Sequence, residues 1–341
     1  MPPGGATFQG QRSILRSMVV PSNAQTTWGT PVALAALQAG VGLHFDVSGF
    51  AKITPTTEST YGQAGSGNSF ASNNWQTSVK TADEISGFLT DYLAGWLLAF
   101  AMGKDTVTGA GPYSHAFNFL DTTTVAQATT IYRQDTADIY YQLVDMGISQ
   151  LVISSTSTGA LKFKASLIGT GRYINGSLAG MPAPIAAPQY LFGSDAQFGI
   201  GPTAGGAPAS FFPRVNNWEI TIDTGIQPVY ASGGGQFAAY LSVAMPKIKL
   251  KAAIAASNVS DVRVWQLART PLTIALSIAS GASSLAFNFP NVILVNCDLG
   301  DSSGNAEWTL NFDETNILQV GATPLVTATV INGQASYLTA A

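Results

Sequence analysis

Residues that could carry catalysis or bind a metal are few in this chain and far apart. There are two histidines, His44 and His115, and one cysteine, Cys297, among 341 residues. Neither histidine has a carboxylate or a cysteine at the spacing of a metal site. Adjacent acidic residues such as Asp83 and Glu84 point in different directions in a helix or a strand, so they do not converge as catalytic carboxylates would. The sequence therefore predicts no enzyme, no cofactor and no metal site.

Five of the 15 basic residues alternate with other residues in two short segments. The segment LKFKASLI carries Lys162 and Lys164, and the segment IKLKAAIA carries Lys247 at its boundary, then Lys249 and Lys251. In a β-strand, side chains two residues apart point to the same face. The pattern therefore predicts two strands, each with an apolar face and a face of lysines.

Three interpretations of the lysine faces are open. The lysines form a solvated face or protect a sheet edge from pairing with a stray strand. Alternatively, they pair with acidic rows of a neighbouring subunit, such as Glu219 and Asp223 or Glu307 and Asp313, and set the register of assembly. The third interpretation is contact with a passing polyanion. The candidate inter-subunit residues are Lys162, Lys164, Lys247, Lys249, Lys251, Glu219 and Asp223.

The lysine segments belong to a motif that occurs twice. Residues 147–172 predict a β-hairpin with one apolar face. Both of its strands are echoed later in the chain, SQLVISSTSTG by NNWEITIDTG and LKFKASLI by IKLKAAIA. The sequence thus predicts an internal pseudo-repeat of two hairpins, residues 148–168 and 216–254. A connector rich in Gly, Pro and Ala, residues 176–214, separates them, and an insertion, residues 227–246, interrupts the second.

One segment has helical periodicity. Between residues 81 and 102, large apolar residues recur at steps of three and four. Thr81 and Glu84 match a capping box, and Gly103 stands where a helix end is expected. A helix of about 20 residues would be roughly 30 Å long. Its pattern is amphipathic and includes acidic residues, which favours a helix packed on a sheet over a membrane span.

The rest of the chain has the short alternating segments and glycine-containing turns of a β protein. We predict a mainly β fold of sandwich or barrel type with one helix. Residues 1–30 are predicted to form an N-terminal arm and residues 31–341 a single β domain. Within that domain, residues 57–74 are predicted to form a long surface loop.

The composition predicts a subunit of an assembly. Only 10% of the residues are charged, against about a quarter in typical proteins, so the surface is suited to being covered by copies of the chain. An extracellular β protein with an uncharged polar surface is the alternative. The net charge of −4 argues against nucleic-acid binding as the main task. The first residues lack a secretory signal, so synthesis in a cytoplasm without export is expected.

Nine segments occur in an order that resembles the tail tube (major tail) proteins of long non-contractile-tailed bacteriophages and related particles. The resemblance extends from about residue 26 to residue 333. The segments are TTWGTP, TESTYG, LLAFAMG, GPYSHAF, GISQLVISSTSTGALKFKASLIGTGR, RVNNWEITIDTG, RTPLTIALS, FNFPNVIL and TPLVTATVIN.

The resemblance implies a β-sandwich or half-barrel with a flanking helix, whose copies close into a ring, commonly a hexamer. Rings stack into a hollow tube through which double-stranded DNA leaves the capsid. The implied partners are other copies of the chain, the tape measure protein, and the tail terminator and tip proteins, with no insertion into a membrane. The implied location is the virion tail, assembled in the cytoplasm of a bacterial host.

For such a ring we expect the strands of the two repeated hairpins to join edge to edge between copies. The candidate residues would then face a neighbour or the lumen, and the connector or the insertion would reach the next ring or decorate the exterior. Two other functions stay open. A phage decoration, baseplate or receptor-binding β-sandwich protein would form trimers or caps, and a glycan-active enzyme would need a cleft with two carboxylates.

Overall fold

A computed structural model describes residues 14–20, 24–33, 43–44, 52–60, 73–103, 105–119, 127–136, 139–175, 188–203, 211–212, 215–233, 235–256, 262–302 and 305–338. The prediction of a mainly β chain is confirmed. In chain order, the elements are β1 (Ile14–Val20), β2 (Leu43–His44), β3 (Lys52–Thr60), β4 (Asn73–Phe88), α1 (Asp91–Met102), β5 (Thr106–Thr108), β6 (Tyr113–Phe119), β7 (Thr129–Thr136), β8 (Ile139–Thr156), β9 (Lys162–Gly169), β10 (Tyr173–Asn175), β11 (Ala196–Pro202), β12 (Phe211–Phe212), β13 (Val215–Asp223), β14 (Ile226–Val229), β15 (Tyr240–Val243), β16 (Lys247–Ala255), α2 (Arg263–Ala268), β17 (Pro271–Ser280), β18 (Ser283–Ile293), β19 (Asn296–Ser302), β20 (Asn305–Phe312) and β21 (Val326–Asn332).

Eight antiparallel strands form the main body of a twelve-stranded sheet, in the order β3, β4, β9, β8, β13, β16, β20 and β19. The first half of β8 continues past this body and pairs with β7 and β10. β7 pairs in turn with β1, which carries β2. Among the described residues, β3 and β19 each pair with one strand only. These two strands are therefore the open edges of the eight-stranded body.

A second sheet of seven strands, in the order β12, β11, β17, β18, β21, β6 and β5, faces the first. Between the sheets lies α1, which contacts β8 of the first sheet and β6, β18 and β21 of the second. Every residue of α1 except Tyr92 is buried. Side chains of α1 and of both sheets form one hydrophobic core. The fold is thus a β-sandwich with one long helix, and that helix is buried against strands of both sheets.

The helix begins at Asp91, not at residue 81. Residues 81–88 continue β4 and pair with β9, so the predicted capping box is wrong. Thr90 is the N-cap, and its hydroxyl accepts a hydrogen bond from the backbone N–H of Leu93. Gly103 ends the helix in the left-handed conformation, as predicted. The error has a physical cause: over the eight residues 81–88 the apolar spacing is too short to distinguish a helix from a strand, and pairing with β9 decides between the two.

The hairpin predicted at residues 147–172 is present as β8 and β9, and β13 with β16 forms its counterpart. The two hairpins lie side by side because β8 pairs with β13. Each outer strand has a further partner, β4 beside β9 and β20 beside β16. The expected joining of these hairpins between copies is therefore wrong, since their backbone groups are already paired within the chain.

Part of the predicted connector belongs to the second sheet. β11 pairs along its length with β17, and Phe198 and Ile200 contribute to the core. Residues 196–202 are therefore not an extended arm. Residues 176–187, 204–210 and 213–214 lie outside the described residues.

The other two long segments are also partly regular. The insertion 227–246 contains most of the β14–β15 hairpin, which folds back so that Ile226 and Leu241 lie close to Gly147. Of the predicted loop 57–74, residues 57–60 belong to β3 and residues 73–74 to β4. Residues 61–72 lie outside the described residues. The division into an arm, residues 1–30, and one domain stays a prediction.

Candidate assembly surface

The five lysines selected from the sequence lie on one surface, the outer face of the eight-stranded body. Lys162 and Lys164 project from β9, and Lys247, Lys249 and Lys251 project from β16. All five are exposed, while the residues between them are buried in the core. The alternation of lysines and apolar residues that the sequence shows is therefore the alternation of exposed and buried side chains along β9 and β16. We call this surface the charged face.

Glu219 and Asp223 lie on the same face, on β13 beside the lysines of β16. In the register of these two strands, Glu219 is directly opposite Lys251 and Asp223 is directly opposite Lys247. Opposite charges at facing positions of neighbouring strands attract one another across the strand pair. Glu219 and Asp223, which the sequence offered to a neighbouring subunit, thus already face lysines of their own chain.

Two further carboxylates contact the lysines directly. Glu314, which follows β20, lies 3.0 Å from the ammonium group of Lys247 and 3.2 Å from that of Lys249. Glu84 of β4 lies 3.0 Å from Lys164. The hydrogen bond from Lys247, together with that from Lys249, lowers the pKa of Glu314 below its usual 4.5. The same bond raises the pKa of Lys247 above its usual 10.5. The lysines of both strands are thus partly neutralised.

Charge on this face is organised by strand. Passing across the sheet, β4 presents Glu84 and, nearer its start, Lys80, β9 presents lysines, β8 only uncharged side chains, β13 acids and β16 lysines. The uncharged residues of β8 are Gln150, Val152, Ser154 and Thr156. Three strand spacings of about 4.8 Å separate the two lysine strands, or roughly 14 Å. The face is therefore striped with both signs rather than forming one basic patch.

Two shallow depressions open on the charged face. One has a volume of about 280 Å³ and is lined in part by Ser154, Thr156, Lys162, Glu219 and Lys251. The other has a volume of about 230 Å³ and is lined by Gln150, Thr221, Asp223, Lys247, Lys249 and Glu314. Both combine ammonium and carboxylate groups. This arrangement suits polar contact with an extended surface.

The outer face of the second sheet differs sharply in charge. One row of facing residues across five strands is Gln197, Ser277, Ala286, Thr329 and Ala116. The next row consists of Gly199, Ala275, Asn288, Thr327 and Asn118. These two rows contain no charged residue. The charge of the sandwich is therefore concentrated on one of its two outer faces.

Edge protection does not explain the lysines. β9 and β16 are interior strands, each paired on both sides, so a lysine there has no free edge to protect. Glu84 and Glu314 were not selected from the sequence. Glu84 stands in a segment with helical spacing and Glu314 in a connecting segment, so their contacts with lysines depend on strand order alone.

Comparison with known proteins points to a family of phage proteins. The family model described as phage tail tube protein matches residues 22–335, a span that includes every element except β1. A search of curated proteins finds no match. Within the described residues, no helix is both long and apolar enough to cross a membrane. Because the family match covers nearly the whole sequence, the chain belongs to the phage tail tube protein family.

Proposed function

We propose that this chain is the repeating subunit of a hollow phage tail tube, in which copies close into rings and the rings stack. Membership of the family makes the chain a structural component of the phage virion. The observation that carries the proposal is the striped charged face. The inner surface of a conduit for DNA has to be polar without binding DNA strongly. A surface on which positive and negative charges alternate has both properties.

The charged face suits the lining of a DNA channel. Duplex DNA binds strongly where clustered Lys and Arg are free to neutralise phosphates. Here Glu314 holds Lys247 and Lys249, and Glu84 holds Lys164. Phosphates would have to displace these carboxylates, so the lysines give a passing duplex little to bind. The second sheet and its uncharged outer face would then lie on the outside of the ring.

The net charge of the ring also disfavours binding of DNA. Six copies of −4 each give a ring of −24, the family's common symmetry being six. A negative particle repels a polyanion at long range. Together with the local pairing of lysines, this repulsion favours rapid passage of DNA over retention.

By family membership, we propose the tape measure protein and the tail terminator and tip proteins as further partners. Assembly would take place in the cytoplasm of the bacterial host. The function is geometric, and no reaction is assigned to the chain. These partners are inferred from the family, whereas the lining role is inferred from the charged face.

The proposal is tested by negative-stain electron microscopy and mass photometry of the purified chain over a range of protein and salt concentrations. We expect rings of about six copies and stacked tubes with a central channel. Trimers or caps without tubes would instead favour a decoration, baseplate or receptor-binding protein. Particles that stay monomeric under all these conditions would refute the tube assignment.

A further inference from the structure

Resting on the proposed lining of a DNA channel, we propose that the larger depression of the charged face is a binding site for a phosphate group. This depression has a volume of about 280 Å³, and its lining includes Lys162 and Lys251. We call it the phosphate site. Both the DNA backbone and free inorganic phosphate carry the oxyanion that it would take.

Four residues of the phosphate site form one row across four neighbouring strands. Lys162 on β9 is directly opposite Ser154 on β8. Ser154 is in turn opposite Glu219 on β13, and Glu219 is opposite Lys251 on β16. Residues that face each other on paired strands project to the same side of the sheet. The two lysines therefore flank the site from both sides, with a hydroxyl and a carboxylate between them.

The two lysines of the phosphate site differ from the other lysines of β9 and β16. Those three form ion pairs with carboxylates of their own chain: Lys164, Lys247 and Lys249. Within the described part of the chain, neither Lys162 nor Lys251 forms an ion pair. Glu219 faces Lys251 across the strand pair without such a contact. An anion can therefore reach both ammonium groups without first displacing a carboxylate.

Uncharged donors complete the lining of the phosphate site. The hydroxyls of Ser154 and Thr156 and the side-chain amide of Asn217 form no hydrogen bond to another described residue. Thr156 and Asn217 are exposed and lie directly opposite each other, next to the row that contains Ser154. Phosphate oxygens accept hydrogen bonds from Ser, Thr and Asn side chains as well as from lysines. The site thus offers three neutral donors beside its two cations.

The balance of charge distinguishes the phosphate site from the other depression of the charged face. The phosphate site contains two lysines and one acid, Glu219, so its net charge is +1. In the other depression the charges of two lysines and two acids cancel: Lys247, Lys249, Asp223 and Glu314. There Glu314 already accepts hydrogen bonds from both lysines. A phosphate would compete with Glu314 in that depression, whereas it finds unpaired lysines in the phosphate site.

The phosphate site would form a circle in a ring of copies. Rotational symmetry places the same residues of every copy at the same height along the tube axis. Two lysines per copy allow about two phosphate contacts, and each such contact is weakened by salt. Contacts of this kind break easily as the duplex moves. The circle would therefore guide DNA along the channel without retaining it.

NMR of lysines labelled with carbon-13 methyl groups, which keep the positive charge, measures weak binding at individual residues. The purified full-length chain is titrated with sodium phosphate, with a short DNA duplex, and with sodium chloride at equal ionic strength. We expect the signals of Lys162 and Lys251 to move with the duplex and those of the three paired lysines to move less. Movement with sodium phosphate as well would support a site that also takes the free anion. Equal movement of all five signals, or equal movement in chloride, would overturn the site.

Two double variants with the same net charge test the contribution of the site to DNA binding. One carries Lys162→Gln and Lys251→Gln and loses both cations of the site. The other carries Lys164→Gln and Lys249→Gln and loses the same charge one row away on the same two strands. Fluorescence anisotropy with a short duplex measures the affinity at several salt concentrations. The first variant should bind about tenfold more weakly at low salt, with a slope of log K against log salt reduced by about 2, and the second should keep the wild-type slope.

Glu219→Gln adds a variant that should gain affinity, because it removes the one acid of the phosphate site. Thermal unfolding verifies that each variant is folded. Equal loss of affinity in both double variants would show that net charge alone matters, and would overturn the phosphate site.

Electron microscopy of the same samples separates this proposal from the tube assignment. Lys162 and Lys251 are exposed on interior strands, so the variant that lacks both should form the same rings and tubes as the wild type. Normal tubes without selective phosphate binding would overturn only the site. A wild-type chain that binds phosphate at these lysines but never forms rings would overturn only the tube assignment.

Discussion

The ring of Tyr337 lies directly against Gly95 in the middle of α1, where a Cβ atom would overlap it. The side-chain amide of Asn332 donates to the Tyr337 hydroxyl at 2.6 Å. The Tyr337 backbone N–H donates to Asp105 at 3.0 Å, and its ring meets that of His115 edge-on. Tyr337 is 1% exposed. The C-terminal segment is thus fixed to the internal helix by one buried side chain.

Gly95→Ala tests this contact, because two effects of opposite sign compete. In an unobstructed helix, alanine in place of glycine stabilises by about 1 kcal/mol. Here the methyl group overlaps the Tyr337 ring, and overpacking a core costs about 1–3 kcal/mol. We expect net destabilisation in urea unfolding followed by circular dichroism. In a Tyr337→Ala background the same change should stabilise the protein. Stabilisation by G95A in both backgrounds would contradict the contact.

Asp145 on β8 forms hydrogen bonds that attach the segment between β1 and β2 to the first sheet. Its side chain is buried and its backbone has a φ of 58°, a conformation uncommon for a residue with a side chain. The carboxylate accepts hydrogen bonds from the side chain of Gln25, the backbone N–H of Gly29 at 2.7 Å, Thr170 at 2.6 Å and Arg172 at 3.0 Å. Hydrogen bonds to a carboxylate are stronger than those between neutral groups.

Asp145→Asn should release residues 25–32 from the body. The amide keeps the size of the side chain but removes its charge and replaces one acceptor oxygen by a donor that faces other donors. A loss of about 2 kcal/mol is expected for such a buried charged acceptor, which corresponds to roughly thirtyfold lower protection. Hydrogen exchange by mass spectrometry measures it. Asp195→Asn, at an exposed carboxylate, is the control, and equal protection in both variants would refute this role.

Arg133 connects two strands that are not neighbours in the sheet. It donates to Asp83 on β4 and to Asp135 on its own strand, β7, and all three side chains are buried. Removing one partner of a buried ion pair typically costs about 3–5 kcal/mol. We expect Arg133→Met to lose stability of this size in urea unfolding. Replacing Asp83 and Asp135 by leucine as well should recover most of it, because this cluster then contains no unpaired buried carboxylate.

The stability lost by R133M should depend on pH. Burial already raises the pKa of Asp83 above its usual 3.8 in the intact protein, although Arg133 opposes the rise. Removing Arg133 should therefore raise this pKa further. A carboxyl with a raised pKa in the folded state stabilises below its unfolded pKa, and this contribution is lost as pH rises through the folded value. The deficit of R133M should therefore shrink as pH is lowered from neutrality toward 4. A deficit independent of pH would show that Asp83 is not the destabilising group.

Local patterns in the sequence predict the hairpins well and their surroundings poorly. Lys162 and Lys164 alternate with Phe163 and Ala165 because β9 has one core face and one solvent face, and this period is visible without a structure. The sequence does not show which strands from distant parts of the chain pair with these hairpins. Residues 81–88 fit a helix or a strand equally, and only pairing with β9 places Glu84 next to Lys164.

The sequence also does not show which strands lie at the edges of the sheet. Which strands are open depends on the order of all eight, and strand order leaves no periodic signal. Val264 and Leu267 look like ordinary apolar residues in the sequence, and their exposure follows from the position of α2 beside β19. Fold class is thus readable from local alternation, whereas the open edges of the sheet and the exposed residues beside them require the topology.

Glu314 should titrate at lower pH than an ordinary glutamate. Hydrogen bonds from Lys247 and Lys249 lower its pKa below 4.5, so its interaction with the lysines is present above the unfolded pKa and is lost as pH falls through the folded value. Carbon-detected NMR titration of the side-chain carboxyl measures the midpoint. Combined Lys247→Ala and Lys249→Ala changes should return the midpoint toward 4.5. High salt should do the same in part, because the pair is exposed and screened.

Glu314→Gln should increase the affinity of the charged face for duplex DNA. The change leaves Lys247 and Lys249 without their shared carboxylate, and two additional phosphate contacts would steepen the dependence of log K on log salt by about 2. Fluorescence anisotropy with a short duplex at several salt concentrations measures the slope. Glu58→Gln, at an exposed glutamate on β3, changes the net charge equally without touching these lysines. If both variants gain the same affinity for DNA, net charge alone controls binding and the acids do not shield the lysines. A gain confined to E314Q supports a channel lining that binds DNA weakly because its lysines are paired.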